Sequence, residues 1–409
     1  MSSMNHIVII HDSVEARGGA TGLARLSALE YRKRGFRVSY LTGESGDDEL
    51  AEAGIDVHGL GQSKLKKAGT FAAMTKGFHN AEAKCLVADW IAQNDTPSTV
   101  YHLHNWAQIL SPGVFAALKP VEARTVVSCH DFFNVCPNGG LLNFQTGEIC
   151  KLKPMSAACW VSQCDRRNSA HKYWRMARQL RLNSLAGFAQ SQMTFVCLNA
   201  GMEQVMRAAG FRAPNLVNIP NPANGYTTDR VEAEQNEAFL FVGRLNAEKG
   251  ADIAARASRL ASVPMIMVGE GEMMDRLVAG YPEIEFPGFC TREEIAQLVG
   301  RSRALVVPGR WREPFGLVIA ECARSGLPIL SSEPSTLSAE IAHLDMGRTF
   351  PANSPDILAA VLREAAADDA LISKLSRNAF SKAENICSTT AEWTERFLGL
   401  FEQKTAGRA

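Results

Sequence analysis

Phe239-Leu240-Phe241-Val242-Gly243-Arg244-Leu245-Asn246-Ala247-Glu248-Lys249-Gly250 opens the second half of this 409-residue chain. Four consecutive apolar residues predict a buried strand, and the glycine-bounded polar stretch predicts a loop. Ala251–Leu260 then reads as a helix. Working outward, the same unit repeats. Expected strands in the first half are His6–Ile10, Arg37–Leu41, Thr99–His102, Thr125–Cys129 and Thr194–Leu198. In the second half they are Phe239–Val242, Pro264–Val268, Ile284–Phe286, Ala304–Val307, Pro328–Leu330 and Arg348–Phe350. Helical stretches lie between them, among them Thr21–Arg34, Arg292–Val299 and Leu317–Ser325. Near-continuous apolar strands alternating with helices imply parallel sheets covered on both faces.

The alternation restarts after Ile219-Pro220-Asn221-Pro222 and the polar stretch 225–237, which reads as a linker. The expected fold is therefore α/β: two Rossmann-like, doubly wound domains facing across a cleft. The expected division is residues 1–215 and 216–389, with the last helix, 390–409, packing back on the first domain.

Composition narrows the function classes. The chain has 46% hydrophobic residues, so it is neither disordered nor low-complexity. No apolar run approaches the ~20 residues that span a bilayer. The short run Ile7–Ile10 lacks the basic lead-in of a secretory signal. Cytoplasmic location is the expectation. The formal net charge of zero divides into +5 for residues 1–200 and −5 for 201–409. That excess suits an anionic acceptor or membrane face, and it is too diffuse for nucleic acid.

In doubly wound sheets, ligands sit outside the carboxyl ends of strands, in the loops entering helices. After the first strand come Gly18 and Gly19 at a helix start, a place where backbone N–H groups can approach an anion. No G-x-G-x-x-G and no G-x-x-x-x-G-K-[ST] occurs, so dinucleotide and P-loop readings lose support. In the loop quoted above, Arg244 and Lys249 bring two cations to a helix N-terminus, a combination suited to a diphosphate. A third loop runs Pro308-Gly309-Arg310-Trp311-Arg312-Glu313-Pro314-Phe315-Gly316-Leu317-Val318-Ile319-Ala320-Glu321. Glu313 precedes the turn and Glu321 lies about one turn inside the helix. Each carboxylate can accept hydrogen bonds from vicinal hydroxyls, so the pair fits a sugar ring and a ribose. Backbone N–H groups at Phe315–Val318 would face the anion between them.

Taken together, Gly18-Gly19, His130-Asp131, Ile219-Pro220-Asn221, Gly243-Arg244-Leu245 through Lys249-Gly250, Val268-Gly269-Glu270-Gly271 and Glu313 through Glu321 resemble the retaining glycosyltransferases of family 4, with the two-domain GT-B fold. The resemblance implies a sugar transferred from a nucleotide diphosphate, of UDP or GDP type, with retention of configuration. The implied acceptor is a saccharide or a lipid-linked molecule in polysaccharide or glycolipid synthesis. No cofactor beyond the donor is implied. By the same resemblance Arg244 and Lys249 bind the diphosphate and Glu321 the ribose. Glu313 contacts donor-sugar hydroxyls, with the backbone of Phe315, Gly316 and Leu317. Gly19 approaches the diphosphate, His130 lies near the reacting sugar, and Gly288-Phe289 line the base pocket. The candidate catalytic residues are thus His130, Arg244, Lys249 and Glu313. A nucleotide-sugar epimerase and a non-catalytic sugar-nucleotide binding module are the alternatives.

Three features stay open. His102 and His104 end a strand, either as packed, hydrogen-bonded residues or as acceptor contacts. Cys136, Cys150, Cys159 and Cys164 number enough for a structural zinc, yet their spacings of 14, 9 and 5 contain no C-x-x-C. Zinc, disulfides and free thiols are all compatible with them. The stretch Arg166–Gln190 carries seven cationic-type residues, His171 included, and no acid. Tyr173, Met176, Leu180 and Phe188 give it an apolar stripe. It reads either as a domain helix with a solvated basic face or as a surface for peripheral attachment to an anionic membrane.

Overall fold

A computed structural model describes residues 4–15, 19–65 and 69–406. The chain divides into two compact units. The first comprises residues 1–140, 151–219 and 391–409; the second comprises 141–150 and 220–390.

The first unit is built on a seven-stranded sheet in the order β3-β2-β1-β4-β5-β8-β9. Its strands are β1 (His6–His11), β2 (Arg37–Thr42), β3 (Asp56–Gly59), β4 (Thr99–Leu103), β5 (Thr125–Ser128), β8 (Thr194–Cys197) and β9 (Leu216–Asn218). Every pairing is parallel. All six residues of β1 are buried, as its run of β-branched residues between helical layers requires. The order reverses between β1 and β4, so a crevice opens at their carboxyl ends. Asp12, just past β1, fixes that end: its buried carboxylate accepts the backbone N–H groups of Gln108, Ile109 and Leu110 at 2.6, 2.8 and 2.8 Å. The closing helix, Thr390–Thr405, adds Trp393, Phe397 and Phe401 to a core that includes Ile7, Tyr31 and Val100. Burying each such aromatic contributes roughly 1.5–3 kcal/mol.

The second unit holds a six-stranded parallel sheet in the order β12-β11-β10-β13-β14-β15. These are β10 (Ala238–Val242), β11 (Met265–Val268), β12 (Glu285–Gly288), β13 (Ser302–Val307), β14 (Ile329–Ser332) and β15 (Gly347–Phe350). Here the order reverses between β10 and β13, which places the loops after those two strands side by side. A two-stranded antiparallel hairpin, β6 (Leu142–Asn143) and β7 (Glu148–Ile149), belongs to this unit. Asn353 Nδ2 donates to Gly147 O in its turn at 3.3 Å. No helix among the described residues is long and apolar enough to cross a membrane.

Candidate functional site

Three strand-end loops of the second unit are stitched together by backbone hydrogen bonds. Gly243 N donates to Val268 O at 3.0 Å, Leu245 N to Glu270 O at 2.9 Å, and Gly269 N to Gly288 O at 2.8 Å. Glycine is required where they meet: Gly269 has φ +129°, and a Cβ there would collide with the carbonyl of Gly243. Gly250, at φ +72°, turns the first loop into helix Ala251–Ala261, and a Cβ on it would strike the carbonyl of Pro308. The loops after β10 and β13 are thus in contact backbone to backbone. Arg310 reinforces the junction. Its N–H donates to Glu248 O at 2.8 Å, and its guanidinium forks onto Asp252 with two bonds of 2.7 Å.

On this scaffold Lys249 Nζ lies 2.5 Å from Glu313 Oε2. Trp311 Nε1 donates to the same oxygen at 3.0 Å, and the Lys249 ammonium stands 5.4 Å from the Trp311 ring centre. Two donors on Oε2 leave Oε1 open to a ligand hydroxyl. The backbone beside Glu313 is pinned by Thr336, whose hydroxyl donates toward Glu313 O at 2.7 Å and Pro314 O at 2.8 Å. Gly316, at φ +76°, starts helix Leu317–Arg324 without a side-chain cap, so no side chain neutralises the positive potential of its first N–H groups. Phe315 is buried beneath this turn. Arg244 is exposed, and its side chain has no hydrogen-bond or ion-pair partner among the described residues.

Glu321, on that helix, has both oxygens engaged. Arg292 Nη1 donates to Oε1 at 2.6 Å and the Tyr226 hydroxyl to Oε2 at 2.8 Å. The Arg292 guanidinium also sits 4.7 Å from the Tyr226 ring centre and donates to Asn224 O and Gly225 O. This clamp fixes the carboxylate and leaves it lone pairs for vicinal hydroxyls. Gly288 ends β12 at φ +79°, and Phe289 beside it is 77% exposed. A large aromatic face this open is a stacking platform for a planar ring.

The structure therefore brings together Arg244, Lys249, Glu313, Phe315, Gly316, Leu317 and Glu321 on two neighbouring loops and one helix. Sequence reading missed Trp311, Tyr226 and Arg292, which hold the two carboxylates, and Thr336, which pins the backbone beside Glu313. Of the first three, only Trp311 sat in a loop already read as carrying chemistry, two positions from the Glu it grips; Tyr226 lay in the expected linker and Arg292 at the start of an expected helix.

In the first unit, His130 follows β5 and Gly19 is the exposed first residue of helix Gly19–Lys33. Gly18 lies outside the described residues. His102 and His104 are buried and hydrogen-bonded, His104 to His130 and His102 to Ser128. Burial, the largest cause, holds the His130 imidazole down at about 4 and His11 at about 3, so both are neutral at pH 7.

Of the readings open for Cys136, Cys150, Cys159 and Cys164, disulfides are not formed, and no group of three or more His, Cys, Asp or Glu among the described residues is placed to hold a metal ion. Instead Cys136 donates to Asn138 Oδ1 at 3.2 Å, and Asn138 Nδ2 faces Cys164 Sγ at 3.6 Å. The basic helix, Ser169–Ala186, turns much of its charge inward. Lys172 and Arg178 are buried on backbone carbonyls, and Arg175 pairs with Asp165 at 2.9 Å. Met176 and Phe188 are buried as well, which leaves Tyr173 and Leu180 of the stripe exposed.

Residues 228–382, which hold every side chain of the second-unit site except Tyr226, match the family model described as glycosyl transferases group 1. Glycogen synthase from Mycobacterium tuberculosis is 30% identical over 152 residues, 34% of this chain and 36% of that one. D-inositol 3-phosphate glycosyltransferase from Streptomyces bingchenggensis is 29% identical over 165 residues, 36% of each. The chain thus spans about a third of the length of these curated relatives. Among solved structures, Anabaena Alr3699/HepE in complex with UDP aligns at TM-score 0.68 and 16% identity, covering 98% of this chain and 100% of that one. The fold is accordingly α/β of the GT-B kind.

Proposed function

We propose that the protein is a retaining glycosyltransferase that moves a hexosyl group from a nucleotide diphosphate sugar to a saccharide or lipid-linked acceptor. The observation that carries this reading is the Lys249–Glu313–Trp311 cluster beside an uncapped helix N-terminus, at the switch point of the second sheet. Arg244 and Lys249 take the diphosphate, and the N–H groups at Gly316–Val318 add positive potential as it departs. Glu313 receives donor-sugar hydroxyls through its open oxygen. Glu321, clamped by Arg292 and Tyr226, receives the ribose, and Phe289 stacks on the base. The charge set serves the leaving group without a metal. UDP bound to the Anabaena protein supports a uridine donor.

In the reaction the acceptor oxygen bonds to the anomeric carbon on the face the leaving group vacates. The bond from that carbon to the phosphate oxygen breaks, and the departing phosphate takes the acceptor's proton. The first unit supplies His130 and the acceptor's recognition. We place the reaction in the cytoplasm, where Arg166, Arg167, Tyr173 and Leu180 offer a modest surface to an anionic membrane; equal flotation with neutral and anionic liposomes would remove that part.

A panel of UDP-, GDP- and ADP-sugars, assayed for slow hydrolysis and for transfer in the presence of chelator, tests the reading. The expected result is turnover of one donor class, with the product anomer matching the donor. An inverted anomer overturns retention. Conversion of a nucleotide sugar to its epimer without acceptor overturns the transferase.

A further inference from the structure

Three imidazoles form a column at the carboxyl end of the first sheet. His104 lies between His102, at a ring-centre distance of 4.0 Å, and His130, at 5.1 Å with the planes only 12° apart. His104 Nδ1 is 2.9 Å from His130 Nε2. The backbone holds this arrangement: His104 N donates to Ile10 O at 2.9 Å, and Cys129 N, one residue before His130, donates to Val196 O at 2.9 Å.

Two proton arrangements are open to this column, and their costs differ. Burial keeps all of these rings neutral, so each carries a single N–H. His102 has both nitrogens occupied by hydroxyls, Ser128 Oγ at 2.8 Å and Tyr31 at 3.4 Å. His11 accepts the Asn105 N–H on Nδ1 and gives its own proton to Thr21 Oγ1. Neither therefore competes for His104 or His130. One hydrogen lies between His104 Nδ1 and His130 Nε2. Were it on His130, the single N–H of His104 would be on Nε2, which is buried and has no partner among the described residues. An orphaned buried N–H is among the rarest features of folded proteins. With the hydrogen on His104 Nδ1, Nε2 is instead a bare lone pair in an apolar setting, and the N–H of His130 moves to Nδ1. His130 is the partly exposed member of the column, whereas His11, His102 and His104 are almost fully buried.

We propose that His104 is a positioning residue that fixes His130 as its Nδ1–H tautomer, a neutral hydrogen-bond donor for an oxygen of the sugar. The ligand half of this proposal rests on the glycosyltransferase reading above. A donor that cannot take up a proton suits the task. It holds a hydroxyl or ring oxygen in place without acquiring a charge.

The test is long-range proton–nitrogen NMR on the full chain labelled with ¹⁵N-histidine at pH 7, with His130 assigned by its loss in His130→Asn. The expected spectrum shows His130 protonated at Nδ1. In His104→Leu, which offers no donor, the proton should shift to Nε2, and in His104→Asn, whose amide reaches where Nδ1–H was, it should stay on Nδ1. Transfer by His104→Leu should fall in kcat by about 10- to 100-fold with donor KM little changed, and His104→Asn should recover most of it. Wild-type His130 protonated at Nε2, or His104→Leu turning over as fast as wild type, overturns the proposal. Should His104→Leu not fold, the wild-type and His104→Asn spectra still decide the tautomer. Wild-type protein that turns over no nucleotide sugar overturns the transferase reading and the ligand half with it, while the ring assignment stands on its own.

Discussion

Lys249 Nζ and Glu313 Oε2 are 2.5 Å apart across the two loops that flank the switch point of the second sheet. Both side chains are mostly buried, 25% and 17% exposed, so the pair is worth more than a surface ion pair. The contact has a consequence for binding. Part of the Lys249 charge is spent on Glu313 when the site is empty. Glu313→Gln should therefore bind UDP alone as tightly as wild type or several-fold tighter, while losing turnover of the sugar donor by about 100-fold or more. Lys249→Ala should weaken UDP itself by about 10-fold or more. Calorimetry with UDP, set beside donor kinetics, separates the two; parallel losses in both assays for Glu313→Gln would contradict the division of roles.

Trp311 holds the same carboxylate oxygen through its indole N–H and flanks the lysine with its ring. Trp311→Phe keeps an aromatic face and deletes the donor. The expected effect is a rise in donor KM of several-fold with UDP affinity unchanged, since the proposal assigns Glu313 to the sugar and not to the nucleotide. If UDP affinity falls as far as donor affinity, Trp311 is supporting the loop rather than orienting the carboxylate.

For the ribose, the prediction concerns discrimination. Glu321 is held by Tyr226 and Arg292, and a ribose hydroxyl would complete its shell. Wild-type protein should bind UDP about 10-fold or more tightly than its 2′- or 3′-deoxy analogue, whichever hydroxyl is used, and Glu321→Ala should abolish the preference. Arg292→Ala should reduce it in part, because Tyr226 still anchors one oxygen. Arg292 is 45% exposed, so its loss should leave stability nearly unchanged by urea denaturation.

How much of this was legible in the sequence depends on the range of the contact. Every expected strand is present, within two residues at each end, because each is an apolar run between polar loops. The strands that escaped notice are Asp56–Gly59, Leu216–Asn218 and the hairpin at 142–149. The first two are sheet edges and the third is a two-residue ladder, so only one of their faces or none is apolar, and periodicity is silent there. Glu313 and Lys249 could be singled out because each follows such a strand. Their meeting across 64 positions, and that of Tyr226 with Glu321 across 95, is created by the strand order and is invisible to local pattern. The cysteine spacing left zinc, disulfides and thiols open, because nearness in sequence does not say where a loop turns its side chains; here Cys136 and Cys164 both meet Asn138.

Acid should unfold the first unit before carboxylate titration alone would. His6, His11 and His130 are held at about 4, 3 and 4, in each case chiefly by burial, and His102 and His104 lie well below the ordinary value of 6.5. Between pH 6.5 and 4 the unfolded chain binds these protons and the folded chain does not. Stability is therefore fully present above about pH 6.5 and falls as pH drops toward 4. Asp131 works against the trend, since burial raises it to about 6 and the folded state keeps that proton longer. Six depressed histidines, His79 among them, outweigh two raised carboxyls, Asp131 and Asp12, so the net slope is positive with pH. The urea midpoint should fall steadily from pH 7 to pH 5, and His6→Asn, which deletes one of these protons outside the candidate site, should flatten the slope near pH 5 by about 1.4 kcal/mol per pH unit. A midpoint that holds constant over this range would mean that the imidazole column is hydrated enough to titrate normally, and the neutral-donor role assigned to His130 would fall with it.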